Sequence, residues 1–383
     1  MKRAFAAVLL LGLWLLLPTA AAAESGSLPS LSDTSEEEEV SGDTETRDYL
    51  TELYAVVPEE YRVRLEEETA GGAVGAEYLF SVLWDSLTQK SLEALRLFCL
   101  LLGTVILGAV VSLLTREESE GMRRAVELLI AAVSALLFYS ALSRTVARVG
   151  EYLTDLRTFL NASVPILTAL LAAGGSTGAA AASASSFSLG LVLLENLMIG
   201  VLTPLTGVCF AMALVGAISP DLKLSGITRN LRWVYMTVLG AASALSVGAL
   251  TFQTTLASSG DSVAMRGAKY AVGNMIPLVG NSIGAALGTL GSSLSLVKST
   301  AGVSCVAVLL LMTLPTLADL FLIRLAVSCA GAIASLFGFS AGENLLGEFR
   351  RLFDMLLAIT AVAGVTWILY FTVFLKTAYP TVT

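Results

Sequence analysis

The chain has 383 residues, of which 55% are apolar and only 14% are charged, with a net charge of −8 and a mean hydropathy of +0.78. This apolar excess, gathered into several long runs, excludes a soluble single-core domain and predicts an all-α polytopic membrane protein. The four cysteines lie inside apolar segments, so no disulfide framework is indicated. The chain has no histidine and therefore lacks the commonest general base, pH switch and metal ligand.

Residues 1–23 have the pattern of a secretory signal. Lys2 and Arg3 precede an apolar stretch, and three alanines ending at Ala23 form a small-residue cleavage site. An uncleaved anchor is the alternative interpretation. Either version exports the residues that follow.

The segment that follows the signal, residues 24–96, carries 18 acidic and five basic residues. Its first part, 24–48, is rich in serine, threonine and glutamate and is predicted to be disordered. Residues 49–96 show amphipathic helical spacing. We expect this second part to fold against the membrane or a partner, or else to present a solvated acidic face.

Residues 97–383 are predicted to form the membrane domain. Loops that carry arginine are predicted to lie on the cytoplasmic side of the membrane. Residues 24–96 and the C-terminus are then predicted to lie outside the cytoplasm. The predicted spans are 97–114, 125–142, 233–252 and a final one at 353–375. Between the second and third, the candidates are the proline segment near 160–174 and the stretches 187–203 and 204–219, which form either three crossings or one crossing with a re-entrant hairpin.

A duplication organises this domain. The stretches 159–175 and 197–218 resemble 272–288 and 308–333, with prolines 39 residues apart in the first copy and 38 apart in the second. The two copies span about 123–219 and about 229–338. The positions of the charged loops predict that they are parallel repeats of glycine-rich transmembrane helices interrupted by proline. The proline segments either cross the membrane or turn back within it. The candidate pore or helix-break residues are Pro165, Pro204, Pro277, Pro315, Gly280, Asn281, Gly284 and Gly288.

Intramembrane polar residues are the second group of candidates. They are Glu195, Asn196, Asp319 and Arg324. Charged groups at this depth face protein or water and find a partner, so we expect a Glu195–Arg324 or an Asp319–Arg324 contact, with either a structural or a conduction role. The charges do not recur between the two copies, which indicates that the halves differ in function.

No catalytic, cofactor-binding or metal-binding motif is present in the sequence. Phosphate-binding loops, paired-cysteine metal motifs and nucleophile elbows are all missing. We therefore expect a non-enzymatic protein without a cofactor and without a nucleic-acid partner.

The stretches Arg266–Val303 and Leu309–Ala326 carry a family resemblance. Their order of lysine, proline, glycine and Asn281 resembles the stage III sporulation protein AE family. The resemblance implies a multi-pass protein of the mother-cell membrane around the forespore. It also implies a trans-envelope channel or secretion-like complex, formed with proteins of the same sporulation operon and a forespore-side membrane protein.

Two further functions fit the same sequence. A secondary transporter or permease would use the repeat for alternating access, with Glu195 and Asp319 at its coupling site. A membrane scaffold would use glycine-rich surfaces to assemble the sporulation complex.

Overall fold

The computed structural model describes residues 76–114, 120–173, 177–218, 225–275 and 280–377. In these ranges the chain forms seven α-helices and one π-helical turn, which confirms the all-α prediction. The elements are α1 (Ala76–Leu114), α2 (Glu120–Ala173), α3 (Thr177–Glu195), the π turn (Asn196–Gly200), α4 (Val201–Ile218), α5 (Ser225–Met275), α6 (Gly280–Leu336) and α7 (Ser340–Thr377).

Five stretches of the described helices are long and apolar enough to cross a membrane, in agreement with a polytopic membrane protein. The predicted signal and the segment 24–75 lie outside the described residues. The five stretches are Ser81–Val111, Ala180–Val215, Gly226–Ala257, Gly302–Leu336 and Gly342–Val373.

Helix α7 occupies the centre of the bundle. It contacts α2, α3, α4, α5 and α6, and 61% of its most apolar segment is buried, against 28% for the spans of α1 and α5. Its C-terminal half places Trp367, Tyr370 and Phe371 around Phe187 of α3, with ring centroids 5.0–6.4 Å from that phenyl ring. Because lipid tails give no hydrophobic drive between helices, this close packing is what holds the bundle together.

A tight turn joins α6 to α7. Gly338 has φ +70°, a conformation that glycine adopts without strain. The amide of Phe339 donates to the carbonyl of Ala334 at 3.0 Å, and that of Gly338 donates to Ser335 at 3.1 Å, which is the Schellman pattern of a helix end. Phe339 then packs with Ile130 of α2, and after the turn α7 packs along α6 as an antiparallel hairpin.

Three of the four candidate prolines lie inside continuous helices. Pro165 is in α2, Pro204 in α4 and Pro315 in α6, while Pro277 lies outside the described residues. Hydroxyls near each proline donate to carbonyls of the preceding turn. They do so from Thr168 to Val164, from Thr206 to Leu202 and from Thr313 to Leu309. These carbonyls are not the ones, four residues before each proline, that lose their N–H partner, so the helices continue because each proline removes only one backbone hydrogen bond inside a packed bundle.

The helix boundaries differ from the predicted spans in two places. The spans expected at 187–203 and 204–219 form one run, from α3 through the π turn into α4, with a single apolar stretch. The two were wrongly separated because Pro204 does not end the helix. Helix α1 also runs through residue 97 without a break, so the division between exported segment and membrane domain remains a prediction.

The order of helices is the same in the two predicted repeats. A long helix, α2 or α5, is followed after a short connection by a second run, α3 to α4 or α6. The duplication remains a prediction, because similar helix order alone does not establish it.

The close approach of α6 and α7 depends on Gly364. A Cβ atom there would lie 2.6 Å from Cγ2 of Thr313, whose hydroxyl is held by Tyr152 and by the Leu309 carbonyl. We predict that Gly364→Ala lowers the free energy of unfolding by about 1–3 kcal/mol through overpacking. Thermal unfolding in detergent, followed by circular dichroism, measures this.

Gly240 supplies the matched control, because a Cβ there meets nothing within 4 Å. Gly240→Ala should leave stability unchanged or raise it slightly, since alanine favours helix. Equal losses of stability in the two variants would contradict the close-packed arrangement.

Candidate functional site

The π turn between α3 and α4 is the most irregular backbone within the described helices. It spans Asn196–Gly200 and interrupts an otherwise continuous helical run. Pro204 lacks the N–H that would bond to the carbonyl of Gly200 in a regular α-helix, which loosens this position. A π turn inserted in an α-helix is frequent at functional sites.

Tyr235 of α5 fixes the π turn from outside. Its hydroxyl donates a 2.8 Å hydrogen bond to the backbone carbonyl of Leu197. The ring is 7% exposed, so the bond lies inside the packed bundle. Helix α5 therefore stabilises a backbone form that α3 and α4 would not hold by sequence preference alone.

Glu195 directly precedes the π turn and pairs with Arg157 of α2. Their closest atoms, Oε1 and Nη1, lie 2.5 Å apart, and the side chains are 26% and 50% exposed respectively. Asn196, its predicted companion, donates its side-chain amide to the carbonyl of Val192 at 2.8 Å. The candidate acid thus has a cationic partner, and the candidate amide is satisfied within its own helix.

A cavity of about 20 Å³ lies beside this ion pair. That volume holds about one water molecule, so the cavity cannot pass a solute in the observed conformation. The lining is mostly apolar and comes from α2, α3, the π turn and α7. The residues are Leu153, Leu156, Arg157, Leu160, Leu191, Leu194, Glu195, Met198, Ile199 and Trp367.

Asp319 belongs to a second ionic cluster. Arg148 of α2 bonds Asp319 of α6 through Nη1 and Glu93 of α1 through Nη2, both at 2.8 Å. The Asp319 side chain is only 9% exposed. One turn further along α2, Tyr152 and Thr313 share a 3.0 Å hydrogen bond. Helices α1, α2 and α6 are therefore joined through one buried carboxylate.

Arg324 contacts neither of its predicted partners. It pairs with Asp354 of α7, while Glu195 pairs with Arg157 and Asp319 with Arg148. Both predicted contacts were wrong. Asp319 and Arg324 are five residues apart and so point about 140° away from each other around α6, which directs them to different helices.

For the remaining candidate residues the structure gives the helix in which they lie but does not describe their side-chain contacts. Gly280, Asn281, Gly284 and Gly288 fall in the first turns of α6, in a part whose side chains are outside the description. They therefore remain predictions.

Sequence reasoning missed Tyr235 and did not give Arg148 or Arg157 a partner. Their stretch of α2 is less apolar than its neighbours, and this alone does not indicate which helices it packs against. Only the packing of α2 against α3 and α6 brings them to carboxylates. No local signal marks Tyr235, since its bond to the π turn crosses 38 residues.

Comparison with known proteins identifies the relationship. The profile of the family described as stage III sporulation protein AE matches residues 66–378, which include every described helix and the π turn. The chain belongs to the stage III sporulation protein AE family. It is a multi-pass membrane protein of a sporulation family.

One curated relative carries the same description. Stage III sporulation protein AE of Bacillus subtilis (strain 168) is 24% identical over 269 residues. The alignment covers 69% of this chain and 66% of that relative, slightly less than two thirds of its length. No solved structure matches the chain.

Removal of the Tyr235 hydroxyl should loosen the π turn. A buried hydrogen bond contributes about 1 kcal/mol, so Tyr235→Phe should speed amide hydrogen exchange at residues 197–202 by about fivefold. Mass spectrometry of deuterated protein in detergent measures the rates. Tyr139→Phe is the control, because Tyr139 is 54% exposed. Unchanged exchange in Tyr235→Phe would show that the bond does not hold the turn.

A double-mutant cycle should identify the partner of Glu195. We expect Glu195→Gln and Arg157→Gln to be coupled by about 0.5–3 kcal/mol in the free energy of unfolding, because they remove the two ends of one contact. Glu195→Gln and Arg324→Gln should be additive. Denaturation in mixed micelles measures all the variants. Coupling of Glu195 with Arg324 instead would restore the pairing expected from the sequence.

Proposed function

We propose that the chain is a non-enzymatic integral membrane subunit of a mother cell–forespore complex. The complex acts as a trans-envelope channel or secretion-like assembly needed for endospore development. Family membership supports the sporulation role. The structural support comes from charged side chains that are only partly covered although they lie within apolar spans.

The partly exposed charges include Glu93, Arg324 and Asp354, with side chains 52%, 35% and 43% exposed. All three lie within apolar stretches of the helices. A charge at the centre of a bilayer costs about 2.5–3.5 kcal/mol by insertion scales, so such groups face water or protein. In a larger membrane assembly, partner subunits and a water-filled passage would supply these protein and water contacts.

Because the centre of the bundle is filled, the proposed passage lies between subunits and not within one chain. Helix α7 fills the position that an internal channel would need, and the cavity beside Glu195 holds about one water. A channel lined jointly by several chains leaves each bundle closed. The partners fit the same proposal, namely other proteins of the sporulation operon and a membrane protein on the forespore side.

A secondary transporter is the alternative, and one observation favours it. The π turn, Pro204 and the Glu195–Arg157 pair coincide inside an apolar stretch. Irregular helices beside a carboxylate are typical of coupling sites in transporters. A scaffold that only assembles the complex is a third function, and it would require neither the pair nor a passage.

Crosslinking and affinity purification of the tagged full chain from sporulating cells tests the proposal. We expect other membrane proteins and a forespore-side protein to be recovered with it, and the purified chain alone to be inert in liposomes. Recovery of the chain alone would contradict a complex. Solute uptake by the chain alone, abolished by Glu195→Gln but not by the change of exposed Glu343 to Gln, would establish the transporter instead.

A further inference from the structure

A group of arginines lies where α5 and α7 are predicted to enter the membrane. Arg229 and Arg232 come just before the predicted span 233–252, and Arg351 lies just before the predicted span 353–375. Arginines in such positions mark the cytoplasmic end of a span. We therefore expect these side chains to lie at the depth of the lipid headgroups on the cytoplasmic side.

One carboxylate serves two of these arginines. Glu348 of α7 accepts a 3.0 Å hydrogen bond from Nη2 of Arg232 through one oxygen and a bond from Nη1 of Arg351 through the other. Arg232 is only 5% exposed, and its Nη1 has no hydrogen-bond partner within the described part of the chain. Buried charges are costly unless they are paired. This contact between α5 and α7 therefore leaves positive charge and a buried donor uncompensated.

On α5, Arg229 lies on the open side of this contact. Around the helix axis, Tyr235, Arg232 and Arg229 follow one another at intervals of about 60°. Tyr235 bonds to the π turn between α3 and α4, and Arg232 bonds to α7. Arg229 thus lies on the side of Arg232 that faces away from α3 and α4, and it is exposed.

On α7, Arg351 lies on the same open side. Phe349 points about 100° to one side of Glu348, and Arg351 points about 60° to the other. The Phe349 ring packs against Phe210 of α4, with centroids 5.6 Å apart, so Arg351 faces away from α4. Its side chain is 51% exposed. The guanidinium groups of Arg351 and Arg229 therefore flank the contact between α5 and α7 on one accessible side.

Trp233 adds an aromatic side chain to this surface. It follows Arg229 by one turn on the same face of α5 and is 57% exposed. Tryptophan is enriched at membrane–water interfaces, where its ring lies at the level of the headgroups. The planar guanidinium group of arginine matches the oxygens of a phosphate. The surface thus combines two exposed phosphate-binding side chains with an interfacial ring.

The other charged groups nearby leave this end of the bundle basic. Helix α7 also carries Glu343, Arg350 and Asp354 on its outward side, and Asp354 pairs with Arg324 of α6. With Glu348 and the three arginines already described, the described groups are five arginines and three carboxylates. An excess of arginine beside a membrane attracts the anionic lipids of the cytoplasmic leaflet.

We propose that Arg229, Arg351 and Trp233 bind the phosphate group of an anionic phospholipid of the cytoplasmic leaflet. A lipid is the ligand because the arginines adjoin the apolar stretches of α5 and α7, which the acyl chains of the same molecule would contact. The inference goes beyond the proposed function, since it concerns the chain and its lipid and requires no protein partner. Either proposal can therefore fail while the other stands.

Native mass spectrometry of the full chain, released from micelles that contain phosphatidylglycerol or phosphatidylcholine, tests this site. We expect the parent chain to retain phosphatidylglycerol in preference to phosphatidylcholine. The double variant Arg229→Gln with Arg351→Gln should bind phosphatidylglycerol roughly tenfold or more weakly, because both exposed guanidinium groups are removed. Arg144→Gln is the matched control, since Arg144 is an exposed arginine of α2 that bonds to its own helix at Ser140. It should leave binding unchanged.

Two further measurements separate lipid binding from other effects. Arg229→Gln alone keeps both contacts of Glu348 and should weaken binding severalfold, while thermal unfolding in detergent without anionic lipid stays that of the parent chain. Inorganic phosphate, added in excess over the lipid, should not displace phosphatidylglycerol, because it lacks the acyl chains that contact the apolar stretches.

Three results would overturn the proposal. The parent chain could retain the two lipids equally. Arg144→Gln could weaken binding as much as the double variant, which would show a general attraction by net charge and no defined site. Alternatively, inorganic phosphate could displace phosphatidylglycerol completely, which would make the arginines a site for a soluble anion.

Discussion

Polar groups inside a bilayer have no water to bond with, and this constraint explains most of the specific contacts in the bundle. The carboxylates of Glu195, Asp319 and Asp354, which lie in apolar stretches, are each found beside an arginine on another helix. Asp319 joins α6 to α2, Glu195 joins α3 to α2, and Asp354 joins α7 to α6. The ionic contacts therefore decide which helices are neighbours, while apolar packing decides how closely they approach.

The central helix connects this packing to the ionic contacts. Gly364 of α7 allows Thr313 of α6 to approach, and Thr313 holds Tyr152 of α2 one turn from Arg148. Trp367, one turn beyond Gly364, lines the cavity beside Glu195. A displacement of α7 would therefore be transmitted to the Asp319 cluster and to the π turn. It would do so although α7 contributes no residue to the Arg148–Asp319 pair or to the Glu195–Arg157 pair.

Composition and hydropathy were sufficient to predict the class of fold, because a bilayer permits few alternatives to long apolar helices. The position of Glu195, Asp319 and Arg324 inside long apolar helices was also predictable, since each lies far from the ends of its apolar run. Their partners were not. Pairing depends on which faces of α2, α3, α6 and α7 meet, and one sequence does not contain that information. The prolines misled because a proline deletes only one backbone hydrogen bond, a loss that a helix packed among neighbouring helices tolerates.

The π turn shows how tertiary contacts can decide what a repeated sequence becomes. In the predicted duplication Pro204 corresponds to Pro315, 111 residues further on, yet residues 307–311, the counterparts of the π turn, form regular α-helix. The positions equivalent to Glu195 and Arg157 are Val306 and Ala268, so the ion pair beside the π turn has no counterpart in the second predicted copy. The hydroxyl that holds the turn comes from Tyr235 of the neighbouring helix α5. A proline lies near both positions, but contacts from neighbouring helices stabilise a π turn only beside Pro204.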